Sequence, residues 1–222
     1  MRRIVLLLSI TCLGFDTMAQ PMRDLYGFKS GHIEYELTGN TTGTKTIWWD
    51  NYGAQSFTET NSVTRIEMFG IANETKIHSI SVIDNDSYWT ADLITKTGQK
   101  GSLSALIGDM AFEYENFGED ELEEAADKLL EDFDGERLGT ELFMGCDCEV
   151  ISVWGNKSWI CKGVILKSEV ETMGVKAHET AIRFETNIGV PASVFELRQG
   201  IDYYDTDEHI RNMEQYRKEQ GY

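Results

Sequence analysis

The sequence predicts an α+β fold: a curled antiparallel sheet, a half-barrel of roughly nine to eleven strands, that wraps a central helical insert. Strand patterns separated by turn signals fill residues 28–97 and resume at Glu141, and a helical pattern lies between them. An open sheet of this many strands curls, and helices can bury its concave side. We therefore expect strands from both halves of the chain to form one bent sheet around the insert.

The first 19 residues have the order of a secretory leader. Arg2 and Arg3 precede an apolar run, and Thr17-Met18-Ala19 supplies small residues where a signal peptidase cleaves. We expect cleavage after about Ala19, a single domain over residues 20–222, and a periplasmic or secreted location. Lipidation of Cys12 remains an alternative.

The chain is strongly acidic, with 38 Asp and Glu residues against 20 Lys and Arg residues and a formal charge of −18. Such a charge repels phosphate backbones, so we expect no nucleic-acid partner. Beyond the leader, no segment approaches the roughly 20 apolar residues that a membrane-spanning helix needs, so we expect no transmembrane segment in the mature form.

The first predicted strand alternates between apolar and polar residues. In HIEYEL, the apolar Ile33, Tyr35 and Leu37 alternate with polar residues, which is the period of a strand with one wet face. Two adjacent tryptophans, Trp48 and Trp49, must point to opposite faces of a later strand. We expect the sheet to bury one and a loop to cover the other, whereas an exposed one would mark a ligand surface.

The middle of the chain has helical periodicity. Its apolar positions fall at helical offsets, at Leu122, Ala125, Ala126, Leu129, Leu130 and Phe133. A second apolar group before it completes a helical insert over about 102–134. We expect four of these residues to line or plug an apolar cavity: Leu106, Met110, Leu129 and Phe133. The acidic run over 119–136 is interpreted as the solvated face of the helix.

Three cysteines outside the leader lie in one stretch, GCDCEVISVWGNKSWICKGVILKSE. The stretch is interpreted as a hairpin. A turn at residues 155 and 156 sets Val150 opposite Cys161, and a turn at 154 and 155 sets Cys148 there. Because a directly opposed pair meets the distance limits of a disulfide, Cys148 and Cys161 are the candidate bridge. The alternatives are a zinc site with His178 as a fourth ligand, or buried thiols without a bond.

No pattern in the chain indicates catalysis. The four histidines have no metal-ligand spacing, and neither a GxSxG elbow nor a phosphate-binding glycine loop is present. We expect a protein that is not an enzyme, with no cofactor and no metal, and we assign no catalytic residue.

Four segments resemble an uncharacterised family of exported Bacteroidetes proteins, described as a domain of unknown function with a fold similar to the lipoprotein carriers LolA and LolB. They are GTKTIWWDNYGA, WTADLITKTGQKG, GCDCEVISVWGNKSWICKGVILKSEVETMGVKAHET and VPASVFELRQG. Cys148, Trp159, Gly163 and residues 166–169 match the family pattern. Cys161, where an aromatic residue is usual, and the additional Cys146 depart from it. The resemblance implies a half-barrel with helices in its mouth and an apolar cavity, and it implies no reaction.

These observations favour a non-enzymatic binding protein of the cell envelope that holds a lipid, an acyl chain or a lipoprotein in an apolar half-barrel cavity. The alternative is a structural or protein-interaction module that acts through its acidic surface.

Overall fold

A computed structural model describes residues 25–68, 71–107, 119–172 and 174–220. The described residues form twelve strands: β1 (Gly31–Gly39), β2 (Thr41–Asp50), β3 (Gln55–Met68), β4 (Ile71–Asp84), β5 (Ser87–Asp92), β6 (Thr97–Ser102), β7 (Gly135–Phe143), β8 (Cys146–Val153), β9 (Asn156–Cys161), β10 (Val164–Thr172), β11 (Val175–Thr186) and β12 (Asp202–Asp205). They also form three α-helices: α1 (Leu103–Ile107), α2 (Glu119–Asp132) and α3 (Thr206–Gln220). The predicted leader lies outside the described residues.

All twelve strands belong to one sheet, in the order β12-β6-β5-β4-β3-β2-β1-β11-β10-β9-β8-β7. Neighbours are antiparallel except β12, which runs parallel to β6. The sheet is open, with β12 at one edge and β7 at the other. The predicted fold class, a wholly antiparallel half-barrel of nine to eleven strands around a helical insert, is therefore wrong: the sheet is mixed, larger and not closed.

The helical insert is small and does not fill a barrel. Helix α1 contacts β6 and α3, near one edge of the sheet, whereas α2 contacts β7 at the opposite edge. The reason lies in the narrow apolar stripe of α2. Its Ala126 and Leu130 are buried, but the side chain of Leu129 is 39% exposed. A stripe of this width covers the end of one strand pair rather than a concave sheet face.

Two separate cores stabilise the sheet. The first core consists of buried residues of β1, β2 and β8–β11: Ile33, Tyr35, Leu37, Trp49, Cys148, Val150, Trp159, Cys161, Val164, Leu166 and Ala181. The second core consists of residues of β3–β5 and of the segment before β12: Phe57, Ile80, Val82, Trp89, Ala91 and Phe195.

The two cores lie on opposite faces of the sheet. One transverse row pairs His32 with Trp48, Trp48 with Phe57, Phe57 with Val82 and Val82 with Trp89. The second core thus lies on the His32 side of the sheet. The first core lies on the Ile33 side, because successive side chains of a strand point to opposite faces. The covered face changes between β1 and β3.

Different segments cover the two cores. Tyr26, which precedes β1, lies over the first core with its ring 5.0 Å from that of Trp49. A Cβ at Gly31 would lie 2.2 Å from the indole of Trp49, so only glycine allows this packing. Residues 190–203 cross the second core, held where the indole N–H of Trp89 donates to the carbonyl of Phe195 at 3.2 Å.

One local prediction is confirmed: the helical pattern that begins at Leu122 corresponds to α2. Helix α3 begins after Asp205, whose carboxylate accepts the backbone N–H of Glu208 at 3.0 Å.

Candidate functional site

The hairpin of β8 and β9 carries the three cysteines. Its two-residue turn is Trp154-Gly155, both with positive φ, and Glu149 pairs with Ile160. This is the register that sets Cys148 opposite Cys161. The sequence left two registers open, and the structure selects this one.

The disulfide nevertheless joins Cys146 to Cys161, with Cα atoms 6.2 Å apart, and Cys148 is free. The predicted Cys148–Cys161 bridge is therefore wrong. The strand ladder ends at the pair of Glu149 and Ile160, so Cys146 lies beyond the regular pairing. There, strand twist can bring a diagonal neighbour within bonding distance.

Neither reactive thiol chemistry nor a zinc site forms around these cysteines. Cys148 is fully buried, and burial raises its pKa to about 11, which keeps the thiol protonated. His178 pairs with Thr38 of β1, whereas Leu37 belongs to the face of the first core. His178 thus lies on the face away from the thiols. In the parts of the chain that the structure describes, no three Cys, His, Asp or Glu side chains are placed to hold a metal.

Of the four predicted cavity-lining residues, Leu129 and Phe133 have described side chains. Met110 and the side chain of Leu106 lie outside the described residues. Leu129 is partly exposed, and the ring of Phe133 packs edge-on against Trp154 at 5.5 Å. Their role in a cavity stays a prediction.

An open cleft lies where residues 190–203 cross the sheet, and we call it the Trp48 cleft. Its volume is about 290 Å³, and it is lined by Thr46, Trp48, Phe57, Glu59, Ser193, Val194 and Arg198. Trp48 and Phe57 are cross-strand partners on β2 and β3, and Thr46 pairs with Glu59 beside them. The sheet therefore supplies an apolar floor, and the crossing segment supplies one wall.

The indole of Trp48 is held from one side by His32. The two rings are stacked with centroids 3.8 Å apart and planes 16° from parallel. His32 is 3% exposed, and burial lowers its pKa, so the neutral imidazole is favoured. Glu34 and Glu185 lie 3.5 and 3.7 Å from its two ring nitrogens, and Arg183 bridges both carboxylates. This rigid support fixes the indole that lines the cleft.

The Trp48 cleft is lined by two charged side chains, Glu59 and Arg198, and only the first of them has a described hydrogen-bond partner. Glu59 shares a hydrogen bond with His78 at 2.9 Å. Arg198 is exposed and forms no ion pair with the described carboxylates. The cleft thus combines an apolar floor with one cation, Arg198, that has no carboxylate partner among the residues described and can meet an anionic group.

A second depression, which we call the Tyr204 groove, lies on the sheet face opposite the second core. Its volume is about 430 Å³, and its lining residues are Lys76, Ile77, His78, Ser79, Ile80, Thr90, Ala91, Asp92, Thr97, Gly98, Gln99 and Tyr204. At one end lies Tyr204, a residue that is 52% exposed and whose ring centroid is 5.6 Å from that of His209.

Sequence reasoning found one of these two sites in part. It singled out Trp48 as a tryptophan that would be covered by a loop or would mark a ligand surface, and Trp48 is half-buried beside the loop. It missed Arg198 and Tyr204. Neither stands in a recognisable motif, and each reaches its site only because the chain after β11 crosses the sheet to β12.

No helix of the described chain is long and apolar enough to span a membrane.

Comparisons with known proteins give little further information. No family model matches the chain, and no curated protein matches it. Solved structures that match include an uncharacterized conserved protein from Thermus thermophilus. It shares 8% identity over 80% of this chain and 90% of its own, with a TM-score of 0.48. LprF from Mycobacterium bovis shares 9% identity over 75% of this chain and 90% of its own, with a TM-score of 0.31. Similarities this low carry no argument about function, and membership of the exported family stays a prediction.

Proposed function

We propose that the protein is a non-enzymatic binding protein of the cell envelope, and that its Trp48 cleft holds a single acyl chain with an anionic head group. The observation that carries this proposal is that an apolar floor, Trp48 and Phe57, lies beside the guanidinium of Arg198, which forms no ion pair within the described part of the chain.

The volume of the Trp48 cleft fits part of a single acyl chain. Ligand pockets commonly measure about 300–1,000 Å³, and the cleft, at about 290 Å³, is just below this range. A lipoprotein with several acyl chains would need a larger cavity. Most of the buried apolar residues are instead packed into the two cores.

Local charge favours an anionic head group although the protein is acidic. Charges more than about 8 Å away are largely screened at physiological salt. Arg198 is the cation in the lining, and Glu59 is already engaged with His78. A carboxylate on Arg198 would form a charge-assisted hydrogen bond, and the chain would cover Trp48 and Val194.

The test is a titration with dansyl-undecanoic acid, followed by dansyl fluorescence, on the chain from residue 20. We expect saturable binding that weakens about tenfold in Arg198→Gln, because one charge-assisted hydrogen bond is lost. The uncharged methyl ester of the probe should bind both proteins equally. Arg211→Gln, which removes an exposed arginine of α3 outside the cleft, is the matched control.

Two outcomes would overturn the proposal. One is the absence of saturable binding by the acid and the ester. The other is equal affinity of the wild type and Arg198→Gln for the acid. Mass spectrometry of protein isolated from its native envelope then asks whether an acyl ligand is carried in the cell.

The alternative function, an interaction module with an acidic surface, stays a prediction. The carboxylates of α2 at Glu124, Glu131 and Asp132 are exposed, which also fits a solvated helix face.

A further inference from the structure

We propose that the Tyr204 groove is a second binding site, which takes a neutral carbohydrate chain. It lies on the face opposite the second core and shares no lining residue with the Trp48 cleft. The inference does not depend on the acyl-chain proposal.

The floor of the groove belongs to a regular array of polar side chains on successive strands, which extends beyond the groove to Thr58, Thr60 and Ser81. One transverse row pairs Thr58 with Ser81, Ser81 with Thr90 and Thr90 with Gln99, and Gln99 pairs with Tyr204 of β12. Adjacent strands lie about 4.8 Å apart, so the row presents a hydrogen-bonding group at each such step.

A second row runs beside the first. It pairs Thr60 with Ser79, Ser79 with Asp92 and Asp92 with Thr97. The two rows are two residues apart along each strand, so they share one face of the sheet. The opposite face of the same strands carries Ile80, Val82 and other residues of the second core. The array is therefore the outer face of β3–β6.

The polar groups in the groove are available to a ligand. The side chains of Ser79, Thr90 and Gln99 form no hydrogen bond with the described residues. Asp92 accepts the backbone N–H groups of Ile94 and Thr95 through one oxygen, Oδ1, at 2.7 and 3.1 Å. The hydroxyl of Thr95 is a further hydrogen-bond partner of this carboxylate, which is exposed to solvent. Those backbone bonds also lower the pKa of Asp92, so this group is a carboxylate at neutral pH.

The chemistry of these groups selects the ligand class. Hydroxyls and the Gln99 amide both donate and accept, and Asp92 accepts, so the set matches a polyol whose hydroxyls do both. An apolar ligand would bury Ser79, Thr90 and Gln99 without partners, which is unfavourable for each group. A polyanion would meet the carboxylate of Asp92. At the end of the row, the exposed ring of Tyr204 offers an apolar face to the C–H face of a sugar ring.

The experiment is native affinity electrophoresis in gels that contain dextran, galactomannan, hydroxyethyl cellulose or β-glucan, with alginate as an anionic comparison. We expect at least one neutral polymer to retard the wild type relative to serum albumin, and alginate not to. In that gel, Tyr204→Ala should raise the apparent Kd about tenfold, because the stacking surface is lost.

Two further variants keep the test decisive. Gln99→Ala removes an amide with no partner in the described chain, so it should fold normally and also weaken binding. Tyr216→Ala removes a tyrosine of α3 that is 62% exposed outside the groove, and it should bind like the wild type. Circular dichroism checks that each variant is folded.

The proposal is overturned if none of the four neutral polymers retards the protein. It is also overturned if Tyr204→Ala and Gln99→Ala, both folded, are retarded as strongly as the wild type. Arg198→Gln serves as a cross-check, because it should weaken binding of the acyl probe about tenfold and leave polymer retardation unchanged.

Discussion

Cys148 shows how its surroundings set the chemistry of a single residue. Its neighbour in the hairpin, Cys146, forms the disulfide, while Cys148 lies fully buried in the first core. Burial raises the pKa of its thiol from 9.0 to about 11. The folded protein therefore holds this proton more tightly than the unfolded chain does.

Replacing Cys148 should remove a pH-dependent contribution to the free energy of unfolding, namely the one that comes from the proton on its thiol. Below pH 9 the contribution is fully present, and it is lost as the pH rises through 11. At about pH 10.5 we expect the wild type to have lost about 2 kcal/mol that Cys148→Ala does not lose. Urea unfolding of both proteins at about pH 7 and about pH 10.5 measures the difference. An identical stability gap at the two pH values would contradict the buried thiol.

The disulfide pairing can be checked by peptide mapping without reductant. A protease that cleaves before aspartate separates Cys146 from Cys148 at Asp147, and trypsin separates Cys148 from Cys161 at Lys157. We expect the peptide that ends in Cys146 to be linked to the peptide that contains Cys161, because these are the bonded pair in the structure. Cys148 should be alkylated once, and only after unfolding. A link between Cys148 and Cys161 would show that the pairing in the structure is incorrect.

At the scale of elements, helix α2 shows what a periodic pattern can and cannot predict. Its existence follows from the spacing of its apolar residues, and the helix is there. Its place does not follow, because the same stripe could cover any apolar surface. It packs at the edge strand β7, where a Cβ on Gly135 would meet both Leu130 and Val153. Val153 is three residues from Val150 on β8, so their side chains point to opposite faces of the sheet. Val150 belongs to the first core, and α2 therefore lies on the face opposite that core.

Two adjacent leucines of α2 should differ in their contribution to stability. Leu130 is 4% exposed and Leu129 is 39% exposed. We expect Leu130→Ala to lower the free energy of unfolding by about 2–4 kcal/mol, because it leaves a cavity against Val153, and Leu129→Ala by less than about 1 kcal/mol. Urea unfolding of the matched pair measures both. Equal losses would place Leu129 in a buried position and would revive it as a cavity residue.

At the scale of the whole molecule, one continuous sheet connects two cores on opposite faces. Strands β1 and β2 contribute to the first core, and β2 is hydrogen-bonded to β3, which contributes to the second. Chain connectivity adds to this coupling. β11 enters the first core, and the segment that follows it crosses the second core.

We therefore expect the two cores to unfold in one cooperative transition. Ile80→Ala, in the second core, should speed amide exchange in β10 of the first core by the same factor as in β4. Hydrogen exchange followed by mass spectrometry measures both strands. Faster exchange confined to β3–β6 would show two independently stable units.

The Trp48 cleft and the Tyr204 groove show why the candidate sites were only partly predictable from the sequence. Alternation in β1 and the adjacency of Trp48 and Trp49 predict which side chains share a face, since the period of a strand is local. The face that becomes covered depends on distant segments. Arg198 and Tyr204 reach their sites through the crossing of residues 190–203 over the second core, and no local pattern encodes that path.

Local sequence patterns specify the strand-rich class, the residues that form α2 and the hairpin that carries the three cysteines. Each depends on residues within a few positions of one another. The tertiary structure decided which cysteines bond, which face of each strand is buried, where the helices pack, and which polar groups remain without partners. Those outcomes depend on contacts between residues far apart in the chain, where sheet twist and crossing segments choose among arrangements that the local pattern allows equally.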